Sequence, residues 1–138
     1  MTPYEHKVQY YETDGMGIVH HSNYIRWFEE ARVALLEQLG YGYDRIEAEG
    51  FSSPVLEVHC RYKAMARFGD TVQIAAQITA YNGVRMTVQY EVRDAQTAAL
   101  CCTGESGHCF MGRDGRPVSL KRSWPELDRA FRSQLPSA

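Results

Sequence analysis

One stretch of this chain is spaced like a helix, and almost everything after it alternates. Between Asn23 and Leu39, the apolar residues Tyr24, Phe28, Ala31, Leu35 and Leu39 recur at helical intervals. Trp27, Ala34 and Leu36 widen the stripe, leaving Arg26, Glu29, Glu30 and Glu37 as a narrow polar face. A helix so covered needs burial over most of its circumference. Ser22 or Asn23 is placed to cap its start, and Gly40 to close its end. After Gly50 the period falls to two. Leu56, Val58, Cys60, Tyr62, Ala64 and Ala66 alternate with Glu57, His59, Arg61 and Lys63. Residues 71–80 place Val72, Ile74, Ala76 and Ile78 on one face, and residues 84–93 alternate in the same way. Between these two runs, Asn82-Gly83 is a hairpin signal, because this pair accepts positive φ. A last, weaker strand covers about 99–111, where Gly104 and Gly107 suggest a bulge or a close backbone approach. A further strand, 6–11, precedes the helix. The expected class is α+β: one long helix wrapped by a curved sheet of about five antiparallel strands, polar on its other face.

The chain has 138 residues, so one domain over 1–138 is expected, with a short C-terminal extension at about 121–138 that turns helical near Trp124. No apolar run is long enough to span a bilayer, and the N-terminus lacks a secretory apolar segment, so a cytoplasmic protein is expected. The net charge of −2 argues against nucleic acid as a partner. Cys60, Cys101, Cys102 and Cys109 lack the paired spacing of a zinc site, and Cys101 and Cys102 should point to opposite faces of a strand.

The loop ETDGMGIVHH (12–21) carries the most chemistry, because it leads into the helix N-terminus. Free N–H groups and a partial positive charge gather there, suited to an anion or a developing oxyanion. Asp14 in this loop can serve as general base or nucleophile on a carbonyl, or it can simply cap a turn before Gly15. His21 can bond Asp14 or a substrate carbonyl. Adjacent to His20 it makes a poor metal pair, and no metal site is expected. Tyr10 can orient a carboxylate or pack in its strand. Arg61, Lys63, Arg67 and Arg85 can hold phosphates or form a solvated face. GESGH (104–108) falls short of a serine-hydrolase elbow, since His108 replaces the last glycine within a strand pattern.

The segment VQYYETDGMGIVHHSNY (8–24) with the following IRWFEEAR, and the later RYKAMARFGD (61–70), resemble the hotdog-fold 4-hydroxybenzoyl-CoA thioesterase family. The resemblance extends to about residue 120. His21-Ser22 stand where the aryl-CoA prototype has an aromatic residue and a proline, so the likeness is closer to the bacterial acyl-CoA branch. It implies a hotdog fold and hydrolysis of a coenzyme A thioester, with no cofactor beyond the coenzyme A of the substrate. It also implies a homodimer pairing edge strands, or a tetramer made of two such dimers, with sites between protomers. Asp14 matches the family's catalytic aspartate, Tyr10 and His21 match site-lining positions, and Gly17 matches the loop glycine. A backbone N–H near Asn23 or Tyr24 would bind the thioester oxygen, and Arg61, Lys63, Arg67 and Arg85 would be candidates for coenzyme A. The rivals are a hotdog dehydratase using Glu29 or Glu30 and a non-catalytic acyl-CoA or acyl-carrier binding protein.

Overall fold

The computed structural model describes residues 2–136, so the last two residues of the expected extension (121–138) lie outside the described residues. The chain runs β1 (Tyr4–Lys7), α1 (Ser22–Gln38), α2 (Tyr43–Ala48), β2 (Val55–Tyr62), β3 (Thr71–Tyr81), β4 (Arg85–Asp94), β5 (Leu100–Cys109), α3 (Leu120–Ser123) and α4 (Pro125–Arg132). The strands form one antiparallel sheet in the order β1-β3-β4-β5-β2.

Alternation decides which face of the sheet meets α1. Val72, Ile74 and Ile78 of β3 and Met86, Val88, Tyr90 and Val92 of β4 are buried together with Trp27, Phe28, Ala31 and Leu35 of α1. Each such large apolar side chain contributes roughly 1.5–3 kcal/mol on burial. Tyr90 stacks on Phe28 with ring centroids 4.4 Å apart, and Gly104 lies opposite Tyr90 in the ladder. A Cβ at Gly104 would overlap the Phe28 ring, so the glycine is what lets the helix settle onto the sheet. The β3–β4 hairpin turns at Asn82-Gly83 as expected, but only Gly83 takes positive φ, at +91°; Asn82 acts through its side chain, whose Oδ1 accepts the N–H groups of Val84 and Arg85. Leu127 and Phe131 of α4 are buried, and Phe131 packs edge-on against Tyr81 of β3.

Several boundaries differ from expectation. The first strand ends at Lys7, and Tyr10–Glu12 form a 3-10 turn instead, because Gln9 and Glu12 close a reciprocal capping box. β2 stops at Tyr62, and the chain then turns across the loop before α1. The short helix α2 had no signal beyond the single buried Ile46. Cys101 and Cys102 do not point to opposite faces of a regular strand: Val92 pairs with Cys102 and Arg93 with Leu100, so Cys101 is the extra residue of a bulge, and both cysteines are buried. Gly104 marks the close approach to Phe28, not the bulge.

Candidate functional site

The loop before α1 is a small hairpin. Thr13 pairs with Val19, the Asp14 N–H donates to the Ile18 carbonyl at 2.8 Å, and the Gly17 N–H returns to the Asp14 carbonyl at 3.1 Å. Gly17 takes φ +77°, the left-handed conformation that closes this turn at little cost only for glycine. The segment after β2 props the loop from below: the Val19 N–H donates to the Ala66 carbonyl at 2.9 Å, and Ile18 bridges Arg67. Asp14 Oδ1 accepts the Met16 N–H at 2.8 Å, which makes the turn-capping reading true of that oxygen. Oδ2 has no bond to any described residue, so one carboxylate oxygen is oriented by the turn and the other is left available.

α1 begins at Ser22 with His21 as its N-cap and no side-chain cap. Asn23 does not cap with its oxygen: its amide Nδ2 donates to the Glu12 carbonyl at 2.8 Å. The backbone N–H groups expected to face a substrate oxygen are engaged inside the chain. Asn23 N–H donates to the His20 carbonyl at 3.0 Å, and Tyr24 N–H to the His21 carbonyl at 3.4 Å. The Ser22 N–H reaches His20 Nδ1 at 3.2 Å. The His21 N–H has no acceptor among the described residues, so the open donor at this helix end belongs to His21 and not to Asn23 or Tyr24. The partial positive charge of the helix end adds to that single donor. The His21 carbonyl accepts the Tyr62 hydroxyl at 3.1 Å, and its ring is exposed and stacked on His20 at 4.2 Å.

Tyr10 does not orient Asp14 within the protomer. It is 76% exposed, and its ring meets Phe68 edge-on at 5.7 Å. The four cations do not gather. Arg67 lies beside Ile18, and Lys63 follows the end of β2 with its N–H on the Cys101 carbonyl. Arg61 pairs in register with Thr103 and lines an open hollow of about 940 Å³ with His59, Gln77, Gln89 and Glu105. Arg85 opposes Cys109 at the far end of the sheet, roughly 30 Å along β4 from the end next to the loop. Glu29 and Glu30 line a groove with Tyr4 and Glu37, and Glu30 lies 3.8 Å from His6.

Two polar clusters escaped the sequence reading. Glu12 is buried beneath the loop, and its carboxylate accepts from the Gln9 N–H, His6 and Trp27 at 2.7, 2.7 and 2.8 Å. Burial pushes this carboxyl up, but the Gln9, His6 and Trp27 donors together outweigh it and hold it below the usual carboxylate range. The available hint was the indole N–H of Trp27, which needs a partner once its ring joins the core. The second cluster lies in the GESGH segment, which the sequence excludes as a serine-hydrolase elbow without showing the polar chain it joins. Ser106 Oγ lies 2.7 Å from His108 Nε2 and 2.6 Å from the Tyr90 hydroxyl, which accepts from Arg32 at 3.0 Å. Ser106 and His108 have no exposed surface, so this serine–histidine pair belongs to the core and faces no substrate. Among the described residues, no three His, Cys, Asp or Glu side chains gather as metal ligands.

Comparison with known proteins gives consistent relatives. The family model of the thioesterase-like superfamily matches residues 8–135. The protein YneP of Bacillus subtilis is 32% identical over 128 residues, which is 92% of either chain. The acyl-CoA thioester hydrolase YbgC of Escherichia coli O157:H7 is 28% identical over 94 residues, 68% of this chain and 70% of its own. A crystal structure of a DHNA-CoA thioesterase from Staphylococcus aureus superimposes with a TM-score of 0.90 at 29% identity, over 96% of this chain and 89% of that one.

Proposed function

The chain belongs to the thioesterase-like superfamily and has its hotdog fold, and from that premise we propose that it hydrolyses an acyl-CoA thioester to the free acid and coenzyme A. The reading rests on one observation: a single loop carries Asp14, with Oδ2 unbonded to any described residue, into a helix end whose one open N–H among the described residues is that of His21. The thioester carbonyl oxygen accepts the His21 N–H, where the helix end stabilises the charge that develops as the carbon becomes tetrahedral. Asp14 Oδ2 supplies the other half, attacking the carbonyl carbon or taking a proton from the attacking water. Collapse of the intermediate breaks the carbon–sulfur bond and releases the coenzyme A thiolate, a good leaving group; where water attacks, the free acid is left directly, and where Asp14 attacks, water then hydrolyses the acyl–Asp14 anhydride to the free acid and restores the carboxylate. The exposed His21 ring and the Tyr10 ring flank the acyl group, and the substrate falls in the acyl-CoA branch of the 4-hydroxybenzoyl-CoA thioesterase family. Of the four cations, Arg67 and Lys63 are our candidates for the coenzyme A phosphates, because Arg67 bridges to the loop through Ile18 and Lys63 follows Tyr62, whose hydroxyl reaches the His21 carbonyl.

A second copy of the chain completes the site. Tyr10, Tyr11, Met16, Met65 and Phe68 crowd the loop region with most of their surface exposed, a patch more apolar than a solvated loop requires. A homodimer covering this patch would shut water away from the thioester.

The test is thioester absorbance across short, medium and long acyl-CoA plus benzoyl and hydroxybenzoyl forms, with Asp14→Asn beside the native protein. We expect turnover on part of the panel, lowered about 10²–10⁴-fold in Asp14→Asn. Binding without turnover on every member would instead identify a non-catalytic acyl-CoA binding protein.

A further inference from the structure

We propose that Glu12 is the positioning residue of this site, holding Asp14 and the His21 N–H in register with one another; the inference rests on the thioesterase reading above. Glu12 is 4% exposed, and both carboxylate oxygens are used. Oε1 accepts the Gln9 N–H and His6 Nε2, each at 2.7 Å, and Oε2 accepts Trp27 Nε1 at 2.8 Å. Its backbone carbonyl accepts the His20 N–H and Asn23 Nδ2, each at 2.8 Å. One residue therefore ties together β1 through His6, the 3-10 turn through Gln9, the helix entry through His20 and Asn23, and the body of α1 through Trp27.

Position in the chain gives these bonds their consequence. Asp14 is two residues after Glu12, and His21 directly follows the residue whose N–H Glu12 receives. The carboxylate pins the near side of the loop to the core, and the carbonyl pins the far side to the same residue. Beside the bonds within the loop and the Val19–Ala66 bond beneath it, the bonds that join both ends of the loop to α1 and β1 pass through Glu12. The titratable group facing Glu12 from β1 is His6, which also lies 3.8 Å from Glu30 on α1. A buried carboxylate is a costly way to hold packing together, since an apolar side chain of the same volume commonly serves as well or better. What an apolar residue cannot do is draw three donors from three elements to one point.

The experiment compares the native protein, Glu12→Gln, Trp27→Phe and the double variant E12Q/W27F on the best acyl-CoA of the panel. An amide at position 12 keeps the shape but sets its NH₂ group against one of the three donors. Removing the indole N–H with Trp27→Phe relieves that conflict. A shift of about 1 Å in a catalytic pair can cost on the order of 10²-fold, so kcat should fall by that order in Glu12→Gln, with KM little changed. Part of the loss should return in the double variant. Amide exchange across residues 19–23 should quicken in Glu12→Gln and slow again in the double variant. A folded Glu12→Gln with native kcat and native exchange would overturn the inference, while loss in Asp14→Asn would leave the thioesterase reading standing. Loss of kcat without recovery in the double variant, in proteins that melt alike, would also overturn it. Native protein inactive on the whole panel would overturn both.

Discussion

Lowering the pH from 7.5 to 5 should weaken the fold by about 2 kcal/mol through His108 alone. His108 ends a buried chain of hydrogen bonds that starts at Arg32, which donates to the Tyr90 hydroxyl at 3.0 Å. The Tyr90 hydroxyl lies 2.6 Å from Ser106 Oγ, and Ser106 Oγ lies 2.7 Å from His108 Nε2. The ring has no exposed surface and stands near the Arg32 charge, and both favour its neutral form. Burial, with the Arg32 charge adding to it, pushes the His108 pKa down to about 4. In the unfolded chain the ordinary value is about 6.5. Between those two values the unfolded chain binds a proton that the fold refuses. The contribution is thus present in full above about pH 6.5 and is lost as the pH falls toward 4. At about 1.4 kcal/mol per unit, most of the interval from 6.5 to 5 counts, which gives the figure of about 2 kcal/mol. Urea unfolding at both pH values, for the native protein and His108→Gln, isolates the effect. The glutamine can still bond Ser106 but does not titrate. The native protein should lose about 2 kcal/mol more than the variant over this interval. Equal losses in the two proteins would refute the reasoning.

Two further substitutions probe what holds the helix and the C-terminal segment in place. Gly104→Ala puts a methyl group into the Phe28 ring, and urea unfolding should show a loss of about 3 kcal/mol, the upper end of ordinary overpacking. A variant as stable as the native protein would mean that α1 can shift at no cost. Tyr81→Phe removes the 2.5 Å bond to Asp128 and leaves that buried carboxylate with Arg132 at 3.0 Å. The loss should be about 2 kcal/mol, read from the same unfolding curves.

The parts of the fold legible in the sequence are those that local spacing settles. Tyr24, Phe28, Ala31 and Leu35 mark the inward side of α1 because a helix repeats every 3.6 residues. Val72, Ile74 and Ile78 mark the inward side of β3 because a strand repeats every two. Asn82-Gly83 announces its turn because few residues other than glycine accept the backbone at Gly83. In the site, Asp14 and Gly17 stand out as an acid and a turn residue before a helix start. The bulge at Cys101 was hidden, because an extra residue changes no local pattern and shows only against the opposite strand. The open donor at His21 was hidden too, since it depends on which N–H groups His20 and His21 themselves absorb.

By itself, the sequence determined the inventory: one helix that must be wrapped, strands with one apolar face to wrap it, and an acidic loop at the helix start. These follow from contacts between near neighbours, which periodicity records directly. Only the tertiary structure decided how distant parts meet. It seated Glu12 under the loop between His6 and Trp27, and drew Arg32, Tyr90, Ser106 and His108 into one buried chain. It separated Arg85 from Arg67 by the length of a strand. Such meetings depend on strand order and register, and those are set by the packing of the whole core, not by any stretch of residues within it.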